Sequence, residues 1–117
     1  MAVILQGSGT YSVESVMQST SDENSKFLII ENGLYGRRLG QICDKLNIKY
    51  DLKSFPENRT IDIDELEEFL KTCKKDEYST VGMIHGETSS GVLNSIEKIG
   101  PLIKRYLPGE VIIFFLP

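Results

Sequence analysis

Residues 6–10, with the sequence Gln-Gly-Ser-Gly-Thr, are typical of a turn that binds a phosphate group. They follow the apolar run 2–5 and precede a helical pattern that carries Val13, Val16 and Met17. Glycines let backbone N–H groups approach a phosphate, hydroxyl groups add donors, and the free amides of the next helix add positive potential. The segment therefore predicts a phosphorylated ligand or cofactor. The same residues also suit a plain strand-to-helix connection, and the turn alone does not distinguish the two.

Two further loops carry residues that suit the same kind of ligand. Residues 31–35 and residues 85–91 each combine glycine with hydroxyl or aromatic side chains. Both follow apolar runs that we expect to be strands, and ligands of open α/β sheets gather beyond the carboxyl ends of the strands. A site formed there can hold a phosphate, stack a flat ring and hydrogen-bond a substituent of that ring.

The elements that must position these loops alternate between strand and helix patterns. Continuous apolar runs predict strands at residues 2–5, 27–30, 81–84 and 111–116, and a polar–apolar alternation predicts one more at residues 48–52. Repeated strand–helix–strand units require a parallel sheet with helices on both faces. The predicted class is α/β, in a single domain over residues 1–117.

Three helical patterns lie between the later strands. Their apolar faces are formed by Leu39, Ile42, Cys43 and Leu46, by Ile63, Leu66, Phe69, Leu70 and Cys73, and by Ile96, Ile99, Ile103 and Tyr106. Asp62 and Glu65 have the spacing of a capping box, which predicts that the second of these helices begins near Asp62. Pro101 is expected to bend or restart the third helix.

Composition and charge exclude several classes of protein. The chain has 117 residues and a net charge of −4, with 40% hydrophobic and 26% charged residues. No apolar run approaches the roughly 20 residues that span a bilayer, and basic residues occur in short pairs such as Arg37-Arg38. These features argue against a membrane protein and against binding of nucleic acid. No secretory signal follows Met1, so the expected compartment is the cytoplasm.

Neither cysteine chemistry nor a metal site is indicated. Cys43 and Cys73 fall within helical patterns and lack CxxC spacing, so reduced buried thiols are expected rather than a disulfide or a zinc site. His85 is the only histidine, and Glu87 is the only candidate ligand near it at a useful spacing.

Three separated motifs resemble one family, the class V pyridoxal-phosphate aminotransferases, and within it first the 2-aminoethylphosphonate:pyruvate transaminases and then the alanine–glyoxylate transaminases. Residues 6–10 resemble the family's phosphate-binding turn. Residues 31–38 resemble the segment whose aromatic residue stacks on the pyridine ring, and residues 85–94 resemble the loop that touches the ring and its phenolic oxygen. The resemblance implies part of the large domain of a fold-type I transferase, a partial three-layer sandwich around a mostly parallel sheet.

The resemblance assigns contacts with pyridoxal phosphate to six residues: Ser8, Gly9, Thr10, Tyr35, Thr88 and Ser89. The first three would hold the phosphate, with the dipole of the following helix behind them. The ring of Tyr35 would lie against the face of the cofactor, and Thr88 or Ser89 would hydrogen-bond it.

Each of the later assignments has an alternative that needs no ligand. Tyr35 can be an aromatic residue that packs at the sheet edge, and the hydroxyls of Thr88 and Ser89 can cap the following helix. Glu87 matches an acidic residue of the motif, but it can also be a solvated loop carboxylate. His85 is expected to pack beneath the site as a neutral histidine.

The chain departs from the family at the residues that make the cofactor reactive. A later strand of these enzymes ends in an aspartate that pairs with the pyridine nitrogen, and a lysine beyond it binds the cofactor covalently. Here the last strand offers Phe114 or Phe115, while Lys98 and Lys104 lie on the preceding helix. We therefore predict no catalytic residue in this chain.

Two functions of different class are consistent with these features. The first is a fragment of a transaminase, inactive alone, whose parent moves an amino group from 2-aminoethylphosphonate or a related small amine to pyruvate. The second is a noncatalytic module that binds a phosphate or cofactor, or a partner. A flavodoxin-like nucleotide binder is a third interpretation, which rests on the α/β pattern and the glycine turn alone. Continuation of the gene past Pro117 into an aspartate strand and a lysine loop would favour the first.

The resemblance also bears on assembly. It implies a seven-stranded sheet in which the first strand is separated from the last by two strands that this chain lacks. An uncovered apolar edge invites pairing with another chain. We expect a homo-oligomer, a missing partner segment or a rearranged first strand.

Overall fold

The computed structural model describes residues 4, 6–7, 9–109 and 111–115, with the backbone alone for Thr10 and for residues 111–115. The helices in this part of the chain are α1 (Gly9–Ser19), α2 (Leu34–Leu46), α3 (Ile63–Thr72) and α4 (Ile96–Tyr106). The strands are β1 (Lys26–Glu31), β2 (Lys49–Ser54), β3 (Thr80–Ile84), β4 (Gly86–Glu87), β5 (Val92–Leu93) and β6 (Val111–Phe115).

Four of the strands form one parallel sheet in the order β2-β1-β3-β6. Phe27 of β1 lies opposite Tyr50 of β2 and Thr80 of β3, and Thr80 lies opposite Val111 of β6. The strands predicted at residues 27–30, 48–52 and 81–84 are thereby confirmed, and the one predicted at residues 111–116 is confirmed to residue 115, the last described residue. The strand predicted at residues 2–5 falls outside the described residues except for Ile4, which is in neither a helix nor a strand and is 96% exposed.

Helices cover both faces of the sheet, as the continuous burial of β1 requires. Leu28 and Ile30 point into one core, and Phe27 and Ile29 point into the other, because successive side chains of a strand face opposite sides. We call the first the α3–α4 core; it also contains Phe55, Ile61, Leu66, Leu70, Tyr78, Val81, Met83, Ile99, Ile103 and Leu107. The second, the α1–α2 core, also contains Met17, Leu39, Ile42, Cys43, Ile48 and Ile84. The predicted three-layer α/β class is confirmed.

Local signals set the helix boundaries. The Asp62 carboxylate accepts a hydrogen bond of 3.0 Å from the Glu65 N–H, so the predicted start of α3 is confirmed. Asn47 ends α2 in the left-handed region with φ of 57°. Helix α4 runs through Pro101 without restarting, because one lost helical hydrogen bond is offset by burial of Ile99 and Ile103 against the core.

A short hairpin replaces part of the polar loop predicted after β3. Gly86 pairs with Leu93 and Glu87 pairs with Val92 in an antiparallel arrangement, and Gly91 turns the chain with φ of 71°. Strands of two residues are too short to produce an alternation in the sequence, which explains why the pattern did not predict them.

The two cysteines are free thiols, as predicted. Cys43 is fully buried in the α1–α2 core, where desolvation raises the pKa of its thiol to about 12. Cys73 is half-buried, and burial raises its pKa as well. In the described part of the chain no helix is long and apolar enough to cross a membrane, and no three metal-ligating side chains converge.

Candidate functional site

The strand order places a crevice between the carboxyl ends of β1 and β3. These strands are neighbours, with Ile30 opposite Met83. The chain leaves β1 into α2, which packs in the α1–α2 core, whereas after β3 and the hairpin it enters α4, which packs in the α3–α4 core. The two connections therefore diverge to opposite faces, and such switch points are where open α/β sheets bind ligands. The two loops predicted to share this edge do so.

Glu87 lies at the centre of this junction. Its Oε1 accepts hydrogen bonds from the Tyr35 N–H at 3.0 Å and from the Ser89 hydroxyl at 2.9 Å, and its Oε2 accepts from the Gly36 N–H at 3.0 Å. The residue is 0% exposed. A solvated loop carboxylate, the alternative left open by the sequence, is therefore wrong for this position.

The start of α2 is satisfied by side chains of the protein itself. The Gly33 N–H donates to Glu31 Oε2 at 3.1 Å and the Leu34 N–H donates to Ser89 Oγ at 3.4 Å, while Glu87 accepts from the next two amides. A helix N-terminus leaves its first amides free and carries positive potential. Here the buried carboxylates of Glu31 and Glu87 bind these amides and compensate the positive potential. This helix end therefore does not offer a phosphate site.

Two glycines make room for the Glu87 side chain. A Cβ atom on Gly33 would collide with Glu87 Cγ and Cδ. A Cβ atom on Gly36 would lie 2.7 Å from Glu31 Cβ and 3.6 Å from Glu87 Oε2. The absence of side chains at these positions allows the carboxylate to reach the helix amides.

A pair of buried asparagines connects the same crevice to the neighbouring loop. Asn32 Nδ2 donates to Asn94 Oδ1 at 2.9 Å, and Asn94 Nδ2 donates back to Asn32 Oδ1 at 3.0 Å. Asn94 also donates to the Ile84 carbonyl at 3.0 Å and accepts from the Ile61 N–H at 3.3 Å, and Asn32 donates to the Arg59 carbonyl at 3.0 Å. The pair joins the end of β1, the end of β3 and the segment before α3.

Arg37 adds a partly exposed cation above the start of α2. Its guanidinium lies 3.5 Å from Glu31 and forms an ion pair with Glu57. The hydrogen bond with Glu57 is the main cause of the raised Arg37 pKa, and the charges of Glu57, Glu31 and Glu87 act in the same direction. Arg37 therefore remains charged.

Tyr35 is half-buried at the rim of the crevice. It packs against the α1–α2 core, and the Arg38 guanidinium lies over its ring at 5.1 Å from the ring centre. Both observations agree with an aromatic residue at the sheet edge, and the cation shows that a flat group fits over its ring.

The hydroxyls of the third motif differ in their bonding. Ser89 is exposed, yet its hydroxyl hydrogen is donated to Glu87 and its oxygen accepts from Leu34. Thr88 is exposed beside it. His85 is half-buried, and its carbonyl accepts the Asn94 N–H at 2.7 Å. Tyr35 and Ser89 thus meet in one place, as expected from the strand order.

The first motif is described only in part. Gly9 is the first residue of α1, and among the described residues a Cβ atom there would meet no other atom within 4 Å. Ser8 and the side chain of Thr10 fall outside the described residues. Helix α1 reaches the same face as Tyr35, because Val13 and Tyr35 both pack against the α1–α2 core.

The buried polar residues at the junction were not all predicted from the sequence. Glu31, Asn32 and Asn94 were not singled out as individual side chains, and Glu87 was left with two readings. The available signal was the spacing of Gly33 and Gly36 directly after a buried strand, since paired glycines at a helix start indicate the close approach of another group.

Comparisons of sequence support the resemblance over most of the chain. No family model matches it. It is 40% identical over 105 residues to a bifunctional phosphonoacetaldehyde hydrolase/aminoethylphosphonate transaminase of Clostridioides difficile, a match that covers 90% of this chain and 16% of that protein. It is 36% identical over 112 residues to a 2-aminoethylphosphonate–pyruvate transaminase of Bacteroides fragilis, which covers 96% of this chain and 30% of that protein. The chain thus spans under a third of the curated relatives that it matches.

Solved structures show the same fold. An alanine–glyoxylate aminotransferase from Nostoc sp. superposes with a TM-score of 0.77 at 23% identity, over 92% of this chain and 27% of that one. A pyridoxamine–pyruvate aminotransferase from Mesorhizobium loti superposes with a TM-score of 0.77 at 24% identity, over 92% and 26%. In sequence and in fold, the chain resembles a segment of the class V pyridoxal-phosphate aminotransferases, among which its sequence relatives are 2-aminoethylphosphonate–pyruvate transaminases.

Proposed function

We propose that this chain is the cofactor-receiving part of an enzyme like the 2-aminoethylphosphonate–pyruvate transaminases, and that it is not catalytic by itself. The observation that carries the proposal is the meeting of Tyr35 and Ser89 on the Glu87 carboxylate at the switch point of the sheet. An aromatic face and a hydroxyl-bearing hairpin at that place are the groups that a pyridine ring with a phenolic oxygen requires.

The phosphate of pyridoxal phosphate fits the start of α1 rather than the start of α2. Carboxylates already accept hydrogen bonds from the first amides of α2, whereas the first turn of α1 contains no acidic residue. The described residues leave the space around Gly9 open. We therefore assign the phosphate to the backbone of Gly9 and to the hydroxyls of Ser8 and Thr10.

The ring fits beside Tyr35, and one hydroxyl is better suited than the other to reach it. The flat Arg38 guanidinium lies over the phenol ring, and in the proposed complex the pyridine ring would take its place there. Ser89 donates its only hydroxyl hydrogen to Glu87, so Thr88, exposed next to it, is the better donor to a cofactor oxygen. Ser89 then acts chiefly by orienting the hairpin.

The bound cofactor would supply the electron sink that amino-group transfer requires. The residues of this chain bind and orient it but do not activate it. Residues 114 and 115 pair with Met83 and Ile84 at the carboxyl end of β6, where the resemblance places the family's aspartate, and both are phenylalanines. The parent activity that we propose is transfer of an amino group from 2-aminoethylphosphonate, or a related small amine, to pyruvate, with the activating aspartate and lysine supplied from outside these 117 residues.

The phenylalanine at residue 115 also supports a second candidate, a noncatalytic module that binds a phosphate or the cofactor. A phenyl ring cannot hold a proton on the pyridine nitrogen. This candidate has the same binding residues as the first one. It differs only in that the protein would catalyse no amino-group transfer.

Residues 1–117 would form an incomplete large domain that a further segment completes. In the described sheet β2 and β6 are the outer strands. The outer strand β2 carries Lys49, Asp51 and Lys53, charges that discourage pairing at an edge, whereas β6 has the sequence Val-Ile-Ile-Phe-Phe. We propose that β6 pairs with the rest of the parent chain or with a second copy.

Binding of the cofactor tests the proposal. Equilibrium dialysis of the chain with pyridoxal phosphate should show saturable binding, and Thr88→Ala should weaken it by about threefold to tenfold, because one hydrogen bond to the ligand is lost. Thr72→Ala is the matched control, since Thr72 is an exposed threonine at the end of α3, away from the crevice. Equal weakening by both substitutions would contradict the assigned site.

The same samples test the claim that catalysis is absent. After treatment with borohydride, mass spectrometry of peptides should find no single lysine that carries the cofactor. A stoichiometric adduct mapped to one lysine would show that the chain has its own covalent site, and it would overturn the claim of inactivity without affecting the binding site.

A further inference from the structure

We propose that Glu87 is a positioning residue for the cofactor site: its buried carboxylate ties the first turn of α2 to the β4–β5 hairpin and so fixes the ring of Tyr35 relative to the hydroxyls of residues 88 and 89. The inference rests on the proposed function, because it assigns Glu87 a part in building that same site. Glu87 itself does not touch the ligand.

A single oxygen atom joins the two sides of the site. Glu87 Oε1 lies 3.0 Å from the Tyr35 N and 2.9 Å from Ser89 Oγ, so the residue that offers the ring and the hairpin that offers the hydroxyls share one acceptor. The other oxygen, Oε2, accepts from Gly36 and fixes the direction of the carboxylate. A shift of the hairpin is therefore transmitted to the backbone of Tyr35.

The chemistry requires a carboxylate at this position. Glu87 is 0% exposed, and none of the ion pairs between described residues includes it. A buried charge needs compensation, which here comes from two helix amides, a hydroxyl and the positive end of α2. A glutamine has one acceptor oxygen and an NH2 group, so one of the two helix amides would face a second donor.

The shape of α2 is adapted to this contact. Gly33 and Gly36 leave the space through which the side chain reaches the helix amides, and a Cβ atom on Gly33 would occupy the position of Glu87 Cγ. The hairpin turn also fixes the backbone of Glu87, because the Ser90 N–H and hydroxyl both donate to the Glu87 carbonyl, at 3.2 Å and 3.4 Å.

Glu31 provides a matched control at the same helix end. It is also buried, at 4% exposure, and it accepts from the Gly33 N–H. Its side chain bonds with Gly33 and forms an ion pair with Arg37, and neither of these residues belongs to the hairpin. Glu31→Gln therefore removes a buried carboxylate from the start of α2 while leaving the connection between helix and hairpin in place.

The experiment compares Glu87→Gln with Glu31→Gln in the whole chain, by NMR of amide hydrogen exchange and by dialysis with pyridoxal phosphate. In Glu87→Gln the amides of Tyr35 and Gly36 should exchange about tenfold faster or more, because a hydrogen bond to a charged group is lost. Retention of the cofactor should fall by a similar factor. Glu31→Gln should leave both amides and the binding unchanged within about threefold, and equal effects of the two substitutions would overturn the proposal.

A second pair of variants keeps the test decisive if Glu87→Gln does not fold. Ser89→Ala removes the hairpin's hydroxyl from Oε1 without disturbing the buried charge, and Ser89→Thr keeps a hydroxyl there. The amide resonances of Leu34 and Tyr35 should shift in Ser89→Ala and return in Ser89→Thr. Resonances that stay unchanged in Ser89→Ala would overturn the proposal.

The failure of this inference is distinguishable from the failure of the proposed function. If the unaltered chain does not bind pyridoxal phosphate, the proposed function and the positioning role that depends on it both fail, even where amide exchange still shows the helix–hairpin connection. If the unaltered chain binds and Glu87→Gln binds equally well, only the positioning role fails.

Discussion

Of the six buried polar residues in the described part of the chain, four lie at the carboxyl edge of the sheet. Glu31, Asn32, Glu87 and Asn94 are each at most 4% exposed, and each has hydrogen-bond partners there. Burial of polar groups costs free energy unless each donor and acceptor is paired. The hydrogen bonds of these four residues therefore offset the cost of their burial where the connections after β1 and β3 leave the sheet towards opposite faces.

The hydrogen-bonded pair of Asn32 and Asn94 gives a prediction about stability. In Asn94→Asp a carboxylate oxygen would replace the amide that donates to Asn32 Oδ1 and to the Ile84 carbonyl, and acceptors would then face one another. We expect the free energy of unfolding to fall by about 2–4 kcal/mol, because the oxygen that replaces the amide group would be buried without a donor. Urea denaturation measures this change.

The exposed residue Asn24 supplies the control for that substitution. Asn24→Asp should change the free energy of unfolding by no more than about 0.5 kcal/mol, since its side chain lies at the surface. A loss below about 1 kcal/mol in Asn94→Asp would contradict the role given to the pair.

Several residues at this scale could be predicted from the sequence, and others could not. The proximity of Tyr35 and Ser89 could be predicted, because each follows an apolar strand and the carboxyl ends of parallel strands lie at the same edge of a sheet. The burial of Glu87 did not, because charged residues in loops are usually exposed and only the geometry of α2 shows which amides need an acceptor. Whether Ser8 and Thr10 join the site stays a prediction.

At the scale of elements, the first turn of α2 decides the shape of the crevice. Its four leading amides, from Gly33 to Gly36, are bound by three side chains that come from β1 and from the hairpin. The helix is thus anchored at its start as well as through Leu39 and Ile42 in the core. Within this anchoring, the hydrogen bonds from Tyr35 and Gly36 to Glu87 are the ones that we propose hold Tyr35 at the rim of the crevice.

A comparison of two glycines tests the anchoring. In Gly36→Ala the new methyl group would lie 2.7 Å from Glu31 Cβ and 3.1 Å from its Cα, so α2 must move away from the strand end. We expect the free energy of unfolding to fall by about 1 kcal/mol or more, because the strain of overpacking exceeds the gain of up to ~1 kcal/mol in helix propensity. Thermal unfolding followed by circular dichroism measures the change.

Gly9→Ala is the counterpart at the start of another helix. No atom of the described residues lies within 4 Å of the added Cβ atom, so stability should stay equal or rise slightly. If Gly36→Ala proved as stable as Gly9→Ala, the close approach of α2 to the end of β1 would be in doubt.

Most elements were predictable because their signals are local. The apolar run of β1, the alternation in β2 and the cap at Asp62 each need only a few neighbouring residues. The hairpin was missed because its strands have two residues each, and the continuity of α4 through Pro101 depends on packing against α3 that no local pattern contains.

At the scale of the whole molecule, the strand order β2-β1-β3-β6 creates the switch point, and the switch point determines where a ligand can bind. The sheet direction and both helix layers were predicted from the sequence. The chain covers only 16% and 30% of two of its relatives, so the groups that would activate the cofactor belong, in our proposal, to a segment beyond these residues. The proposed pairing of β6 would bring such a segment to the sheet.

The most direct test of the central claim, that one hollow at this switch point receives pyridoxal phosphate, is an NMR titration of the labelled chain with the cofactor. We predict saturable amide shifts in three separated segments, around Gly9, around Tyr35 and around Thr88, all with the same dissociation constant. Pyridoxal without its phosphate should affect the last two segments and spare the first. Shifts confined to one segment, or scattered over lysine-rich surface away from the carboxyl edge of the sheet, would contradict the account.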